Sequence, residues 1–207
     1  MTDSEKIIDI LHKITIKIEE EKDFLTELDN VIGDGDHGIN LARGFGEVEK
    51  KLDSMKDKDI GSILKSCGMT LVSTVGGASG PLYGTAFMKA GSTIGAKGSI
   101  EINVFIDALL VAIEGIKTRG RSTVEEKTML DAMVPSYDAM KAALDAGKSV
   151  NEIFSLGVDA AKKGVEHSKE LIATKGRASY LGDRSIGHQD PGATSYTMIL
   201  EVIASFY

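Results

Sequence analysis

Apolar residues recur every three or four positions through most of this chain, a spacing that lines one face of an α-helix. Ile7, Leu11, Ile14 and Ile18 form the first stripe, and Ile60, Ile63, Leu64, Cys67 and Leu71 form another. Val104, Phe105, Ala108, Ala112 and Ile116 follow, then Met129, Met133, Ala139, Met140 and Ala143. Pro135 falls inside the last of these and predicts a kink, because it removes a backbone donor. No run of alternating β-branched residues offers a strand. Thr2–Glu5 and Ser149–Glu152 have the spacing of capping boxes, the second opening a helix through about residue 174. Asp190-Pro191 reads as the N-cap and first position of a last helix carrying Met198, Leu200, Val202 and Ile203. The stripes amount to about eight helices with short polar connections, which predicts an all-α, up-and-down bundle or barrel. With no linker, repeat or low-complexity segment, residues 1–207 read as one domain.

Charge narrows the function classes. The formal net charge is −7 and the 24 Lys and Arg residues are spread along the chain, which argues against nucleic acid or a membrane surface as partner. Cys67, the only cysteine, lies in an apolar stripe and reads as a core residue rather than a nucleophile. The first residues carry no signal-peptide pattern and no apolar run spans a bilayer, so a cytoplasmic protein is expected.

Three segments are too rich in glycine and polar residues to be ordinary connections: Leu28–Asn40, Gly76–Thr85 and Lys175–Ser195. In the first, Asp34 and Asp36 flank Gly35, with Asp29 shortly upstream. Carboxylates this close repel one another unless a cation sits between them. Oxygen-only donors favour Mg²⁺ or Ca²⁺ over zinc. An EF-hand fails on spacing, since Asp34 as position 1 puts Gly38 at position 5 and Phe45 at position 12. Mg²⁺ suits few carboxylates because it keeps sites open for water and phosphate. The bland alternative is a solvated acidic turn.

Two nucleotide motifs are decoys. Gly33-Asp34-Gly35-Asp36-His37-Gly38 matches G-x-G-x-x-G, but no strand precedes it and its aspartates would face a pyrophosphate. Ala142–Ser149 resembles a loosened phosphate loop, but strong helix formers precede Gly147, which reads as a helix C-cap. The Gly76–Thr85 segment is the better phosphate candidate: its glycines let backbone N–H groups approach an anion, and Ser79 adds a hydroxyl. In the third segment Arg177 can engage phosphate oxygens bidentately, and otherwise reads as a surface arginine. His12 and His167 read as ordinary helical residues. His37 and His188 stand inside the unusual segments.

G-D-x-D-H-G-x-N, G-G-A-S-G-P-L-Y-G-T and G-R-A-S-Y-L-G-x-R-S-x-G-H-x-D-P-G-A, in that order, together with Lys127-Thr128-Met129 and Asp131, make the chain resemble the L subunit of bacterial dihydroxyacetone kinases over its whole length. The resemblance implies a closed barrel of eight antiparallel amphipathic helices with a nucleotide and two Mg²⁺ at one end. It implies Asp29, Asp34 and Asp36 as metal ligands. It puts His37, Gly38, Ile39, Asn40, Ala78, Ser79, Gly120, Met129, Arg177, Asp190, Pro191 and Gly192 at nucleotide contacts, with Arg177 also catalytic. Asp183 stands where the family pattern has Glu, at no ligand position. The family's stand-alone form implies retained ADP, phosphorylated in place by a phosphohistidine on an M subunit and discharged onto dihydroxyacetone held by a K subunit. A 207-residue chain has no room for a separate substrate domain, which fits that form. Two other readings stay open: the nucleotide domain of an ATP-dependent glycerone or fatty-acid kinase, and a regulatory homologue that binds ADP and docks on a transcription factor.

Overall fold

The computed structural model describes residues 3–97 and 99–207, and it is entirely helical among them. The helices are α1 (Asp3–Glu20), α2 (Lys22–Ile32), α3 (His37–Leu52), α4 (Ile60–Thr74), α5 (Ser79–Ile94), α6 (Ile102–Gly120), α7 (Leu130–Asp145), α8 (Val150–His167) and α9 (Pro191–Ala204). Short 3₁₀ stretches follow α3, at Asp53–Met55, and precede α9, at Arg177–Ser185. Eight of the nine helices form a ring: α1 packs on α3, each of α3 to α8 on its successor, and α9 on both α8 and α1. The short α2 is inserted between α1 and α3. Lys6 Nζ lies 3.4 Å from the centroid of the Tyr207 ring, tying the first helix to the C-terminus.

The stripes of α1, α4, α6, α7 and α9 turn inward as their spacing requires. Leu11, Ile14, Ile18, Phe45, Leu71, Ile113, Met140 and Ile153 belong to one continuous core. Cys67 is fully buried within it, and burial pushes its thiol well above the ordinary range, so it is a packing residue. The Ser149–Glu152 capping box forms, and Asp190 caps α9 with Pro191 at its first turn. Gly147 takes φ +70° one residue past the α7 C-cap, where Lys148 N–H reaches Ala143 O and Gly147 N–H reaches Leu144 O, the Schellman pattern. Thr2 of the other expected capping box lies outside the described residues.

Several expectations shift. The helix from Val150 ends at His167 rather than near 174, because residues 168–176 turn away to build the third segment. The unusual segments are also shorter than their sequence suggested. Leu28–Ile32 belongs to α2, His37–Asn40 to α3 and Ser79–Thr85 to α5, so only residues 33–36 and 75–78 connect helices there. Pro135 lies inside α7, which runs on through it. The carbonyl of Asp131, four residues earlier, has no proline N–H to bond, and α8 crosses α7 over it: a Cβ on Gly164 would lie 2.1 Å from that oxygen.

Glycine governs another crossing. Gly61 and Gly68 of α4 face Gly91 and Gly84 of α5, and a Cβ on any of the four would meet the facing glycine's carbonyl within 2.6–2.7 Å. The two helices therefore approach backbone to backbone. Gly164→Ala is expected to lower unfolding free energy by about 1–3 kcal/mol, since it overpacks a closed crossing. Gly46→Ala, with open space around its would-be Cβ, should instead raise it by about 0.5–1 kcal/mol. Urea denaturation of the two variants should give opposite signs.

Candidate functional site

The ring has one chemically distinct end. There α3, α5, α7 and α9 begin, α6 ends and α2 delivers its last turn, around a cavity of about 780 Å³. That volume is within the usual range of small-molecule sites. Four helix N-termini converge on it, each carrying partial positive charge. At α3, α5 and α7 the N-cap side chain accepts no hydrogen bond from its own helix.

The acidic group is built locally. Asp29, near the end of α2, accepts hydrogen bonds through Oδ2 from the N–H of Asp36 (2.9 Å) and of His37 (3.1 Å). This closes the turn 33–36 against α2. Gly33 and Gly35 allow it: a Cβ on Gly33 would lie 2.0 Å from Asp29 Oδ1, and Gly35 takes φ +72° against Asn30. One carboxylate oxygen from each of Asp29, Asp34 and Asp36 thereby falls within 4.8 Å of the others. The Asp36 side chain is not spent on capping. Arg177, which opens the 3₁₀ stretch, brings Nε to 3.0 Å from Asp34 Oδ2 from a largely exposed position. Hard oxygens gathered at the mouth of an otherwise donor-rich cavity fit a divalent cation.

Behind the acidic group runs a buried polar chain. His37 Nδ1 lies 3.0 Å from Ser79 Oγ, His37 Nε2 lies 2.9 Å from Ser195 Oγ, and the latter lies 2.7 Å from the Tyr83 hydroxyl. Burial pulls the His37 pKa down to about 4, against the opposing influence of Asp29 and the Pro191 carbonyl, so the ring is neutral near pH 7. On the far wall, burial pushes the Asp190 carboxyl up to about 7 against the hydrogen bond it accepts from Ala193 N–H. Gly192 lies against Met129: a Cβ there would sit 3.3 Å from that of Met129.

Of the expected residues, Asp29, Asp34, Asp36, His37, Ala78, Ser79, Gly120, Met129, Arg177, Asp190, Pro191 and Gly192 line this cavity together. Three do not. Gly38 is packed against the Lys22 carbonyl, Ile39 is 49% exposed, and Asn40 is buried with its Oδ1 accepting from Arg43. His188 is exposed, and only its backbone carbonyl is engaged, by Lys127. Tyr83, Ser195 and Lys127 were not foreseen as site residues; their significance comes from contacts across 41 to 158 positions of sequence.

A family model of the DAK2 domain matches residues 31–205. The chain belongs to the DAK2 domain family. This DAK2 chain is 43% identical to the "PEP-dependent dihydroxyacetone kinase, ADP-binding subunit DhaL" of Escherichia coli strain K12, over 89% of this chain and 88% of that protein. It is 42% identical to the "PTS-dependent dihydroxyacetone kinase, ADP-binding subunit DhaL" of Lactococcus lactis, over 95% and 96% of the two. The fold matches the dihydroxyacetone kinase of C. freundii with a TM-score of 0.76 at 24% identity, over 97% of this chain and 34% of that one. No helix among the described residues is long and apolar enough to cross a membrane.

The polar chain supplies a test of how the cavity floor is held. Ser195→Ala strips a partner from both His37 and Tyr83, leaving two buried polar atoms short of a bond. Tyr83→Phe removes the hydroxyl and leaves Ser195 bonded to His37 and to the Gly192 carbonyl. Ser195→Ala should therefore be the more destabilising by about 1–3 kcal/mol, measured by urea denaturation.

Proposed function

We propose that this chain, as one domain over residues 1–207, is the ADP-binding relay subunit of a phosphoenolpyruvate-dependent dihydroxyacetone kinase, a cytoplasmic phosphotransferase active only with partner subunits. In this reading retained ADP accepts a phosphoryl group from a phosphohistidine on an M subunit, and the group then passes to a hydroxyl of dihydroxyacetone held by a K subunit. The observation that carries the reading is the convergence, on one cavity, of a three-carboxylate cluster and helix N-termini without N-cap side-chain bonds. Cations suit the first and phosphate oxygens the second. The 43% identity to an ADP-binding DhaL subunit, against 32% to the "L-erythrulose 1-kinase" of Mycolicibacterium smegmatis, favours the subunit over an ATP-dependent kinase domain.

Each residue then has a physical task. Asp29, Asp34 and Asp36 would hold two Mg²⁺, which would offset the charge of the phosphates. Ala78 and Ser79 at the start of α5 present N–H and hydroxyl donors to the nucleotide, and Asp190 to Gly192 at the start of α9 pack against it. His37, neutral and hydrogen-bonded on both ring nitrogens, keeps its orientation without adding charge. Gly120 and Met129 shape the opposite wall. Three carboxylates and a diphosphate bring about −6 of charge, and phosphoryl transfer depends mainly on neutralising and positioning such charge. Arg177 is the mobile counter-charge: paired with Asp34 and largely exposed, it can follow the phosphoryl oxygens.

Melting curves with ADP, Mg²⁺ or both should show the largest rise for the pair, about 2.7 kcal/mol at a hundred times the dissociation constant. Asp36→Asn should lose that synergy and the relay activity while its helical circular dichroism stays near wild type. A collapsed helix signal would instead make the aspartate a structural part of the turn. Activity is read with purified K and M subunits, phosphoenolpyruvate and the general phosphotransferase proteins.

Arg177→Ala should lower turnover by about 10³-fold or more while ADP affinity changes little, in line with arginines that neutralise a moving phosphoryl group. Lysine at this position should rescue poorly, since a point charge lacks the bidentate fork. Calorimetric ADP binding beside relay turnover separates this from simple anchoring, which would weaken affinity and spare turnover at saturating ADP.

A further inference from the structure

Lys127 is the most unusual buried residue of the described chain. It is 2% exposed, sits in the connection between α6 and α7, and adopts φ +58°, a left-handed conformation that side chains other than glycine rarely take. Glu125, two residues earlier, does the same at φ +66°. The buried carboxylate of Asp131 accepts the N–H of both Glu125 and Thr128, which holds this contorted backbone in place. An ammonium has three N–H donors and no acceptor. Here all three go to backbone carbonyls: Ser168 and Leu171 just past α8, and His188 in the segment leading to α9. No donor is left for a ligand, although the residue borders the cavity.

The carbonyls it joins belong to two strips of chain with few other ties. Residues 186–190 carry no regular secondary structure, and two further bonds hold them to the end of α8: Gly187 N–H to Lys169 O (2.7 Å) and Asp190 N–H to Ser168 Oγ (2.9 Å). Asp190 then caps α9 through Ala193 N–H. We propose that Lys127 is a positioning residue of the nucleotide site: its ammonium pins the 186–190 segment to the end of α8 and so sets how the α9 N-terminus, Asp190 to Gly192, faces the cavity. The proposal rests on the nucleotide-binding reading of that cavity. It explains why a costly buried charge and two strained residues occur together at the cavity wall, where an apolar side chain would leave the Leu171 and His188 carbonyls without a donor and Ser168 with only the long bond from Leu171 N–H.

The test combines amide hydrogen exchange with calorimetric titration of ADP in Mg²⁺, on wild type, Lys127→Met and Ser168→Ala. In Lys127→Met the amides of Gly187, Asp190 and Ala193 should exchange at least tenfold faster while those of α4 and α5 keep wild-type protection, and ADP affinity should fall at least tenfold. Ser168→Ala, which removes the acceptor of Asp190 N–H but keeps the lysine, should loosen the same amides with a smaller loss of affinity. Lower affinity with these amides unchanged would overturn the proposal in favour of direct contact. Faster exchange spread evenly over the chain, or unchanged affinity despite local loosening, would overturn it as well. If Lys127→Met fails to fold, the same readouts on Ser168→Ala decide. Wild type that does not bind ADP defeats the nucleotide reading itself, a result visible before any variant is compared.

Discussion

The Asp29 carboxylate, bonded to the N–H groups of Asp36 and His37, is the interaction on which the cavity mouth depends. A charge-assisted bond to two backbone donors at the start of α3 is stronger than a neutral one and is favoured by the helix dipole. It folds residues 33–36 back on α2 in a single step. Asp34 and Asp36 are thereby brought beside the residue that anchors them, and His37 is turned inward toward Ser79 and Ser195. Repulsion among the three carboxylates opposes this arrangement. The helix start and Arg177 offset part of it within the protein itself.

The ring that carries this turn depends on glycine where a hydrophobic bundle would use larger side chains. Facing glycines on α4 and α5, and Gly164 above the free carbonyl at Asp131, bring helix backbones together instead of interdigitating side chains. Such contacts fix helix position tightly, because neither backbone has a side chain to adjust. The cavity walls formed by α5 and α7 are correspondingly well defined.

The same device limits what the sequence reveals. The stripes of α1, α4, α6, α7 and α9 could be read directly because their buried faces are largely aliphatic, and α8 was legible from its capping box. α3 buries Gly38, Asn40, Ala42 and Gly44 among its core residues, and α5 buries Gly80, Gly84 and Gly91. The first turns of both helices therefore carry little hydrophobic period and looked like parts of polar loops, although Leu41, Phe45, Val48 and Leu52 continue α3 at helical spacing. α2 buries only Leu25 and Ile32 and left too thin a stripe to mark. The acidic cluster was legible because its three members lie within eight residues and their chemistry is local. Lys127, Tyr83 and Ser195 were not, since a buried ammonium or hydroxyl becomes meaningful only once the carbonyls and side chains it meets are known. His188 drew suspicion as an imidazole, yet the bond it makes is through its carbonyl.

An up-and-down ring of helices necessarily gathers N-termini at both ends, so their convergence alone does not make a site. What sets α3 and α5 apart is how their first-turn donors are used. Away from the cavity, Asp59 bonds the Ser62 N–H at the start of α4, and Ser149 and Glu152 close a full capping box on α8. Those two helices satisfy first-turn donors with their own side chains, as Asp190 does for α9 at the cavity, while α6 starts at Glu101 without a side-chain cap. At the cavity the N-cap position of α5 is Ala78, which has no side-chain oxygen to offer, and at α3 Asp36 does not spend its carboxylate on capping, whereas Thr128 bonds the Leu130 N–H at the start of α7. Each such omission costs a helix about 1 kcal/mol of cap stabilisation. Two omissions on one face, beside a cluster of carboxylates, make sense when a ligand bearing both phosphate oxygens and cations completes what the chain leaves open.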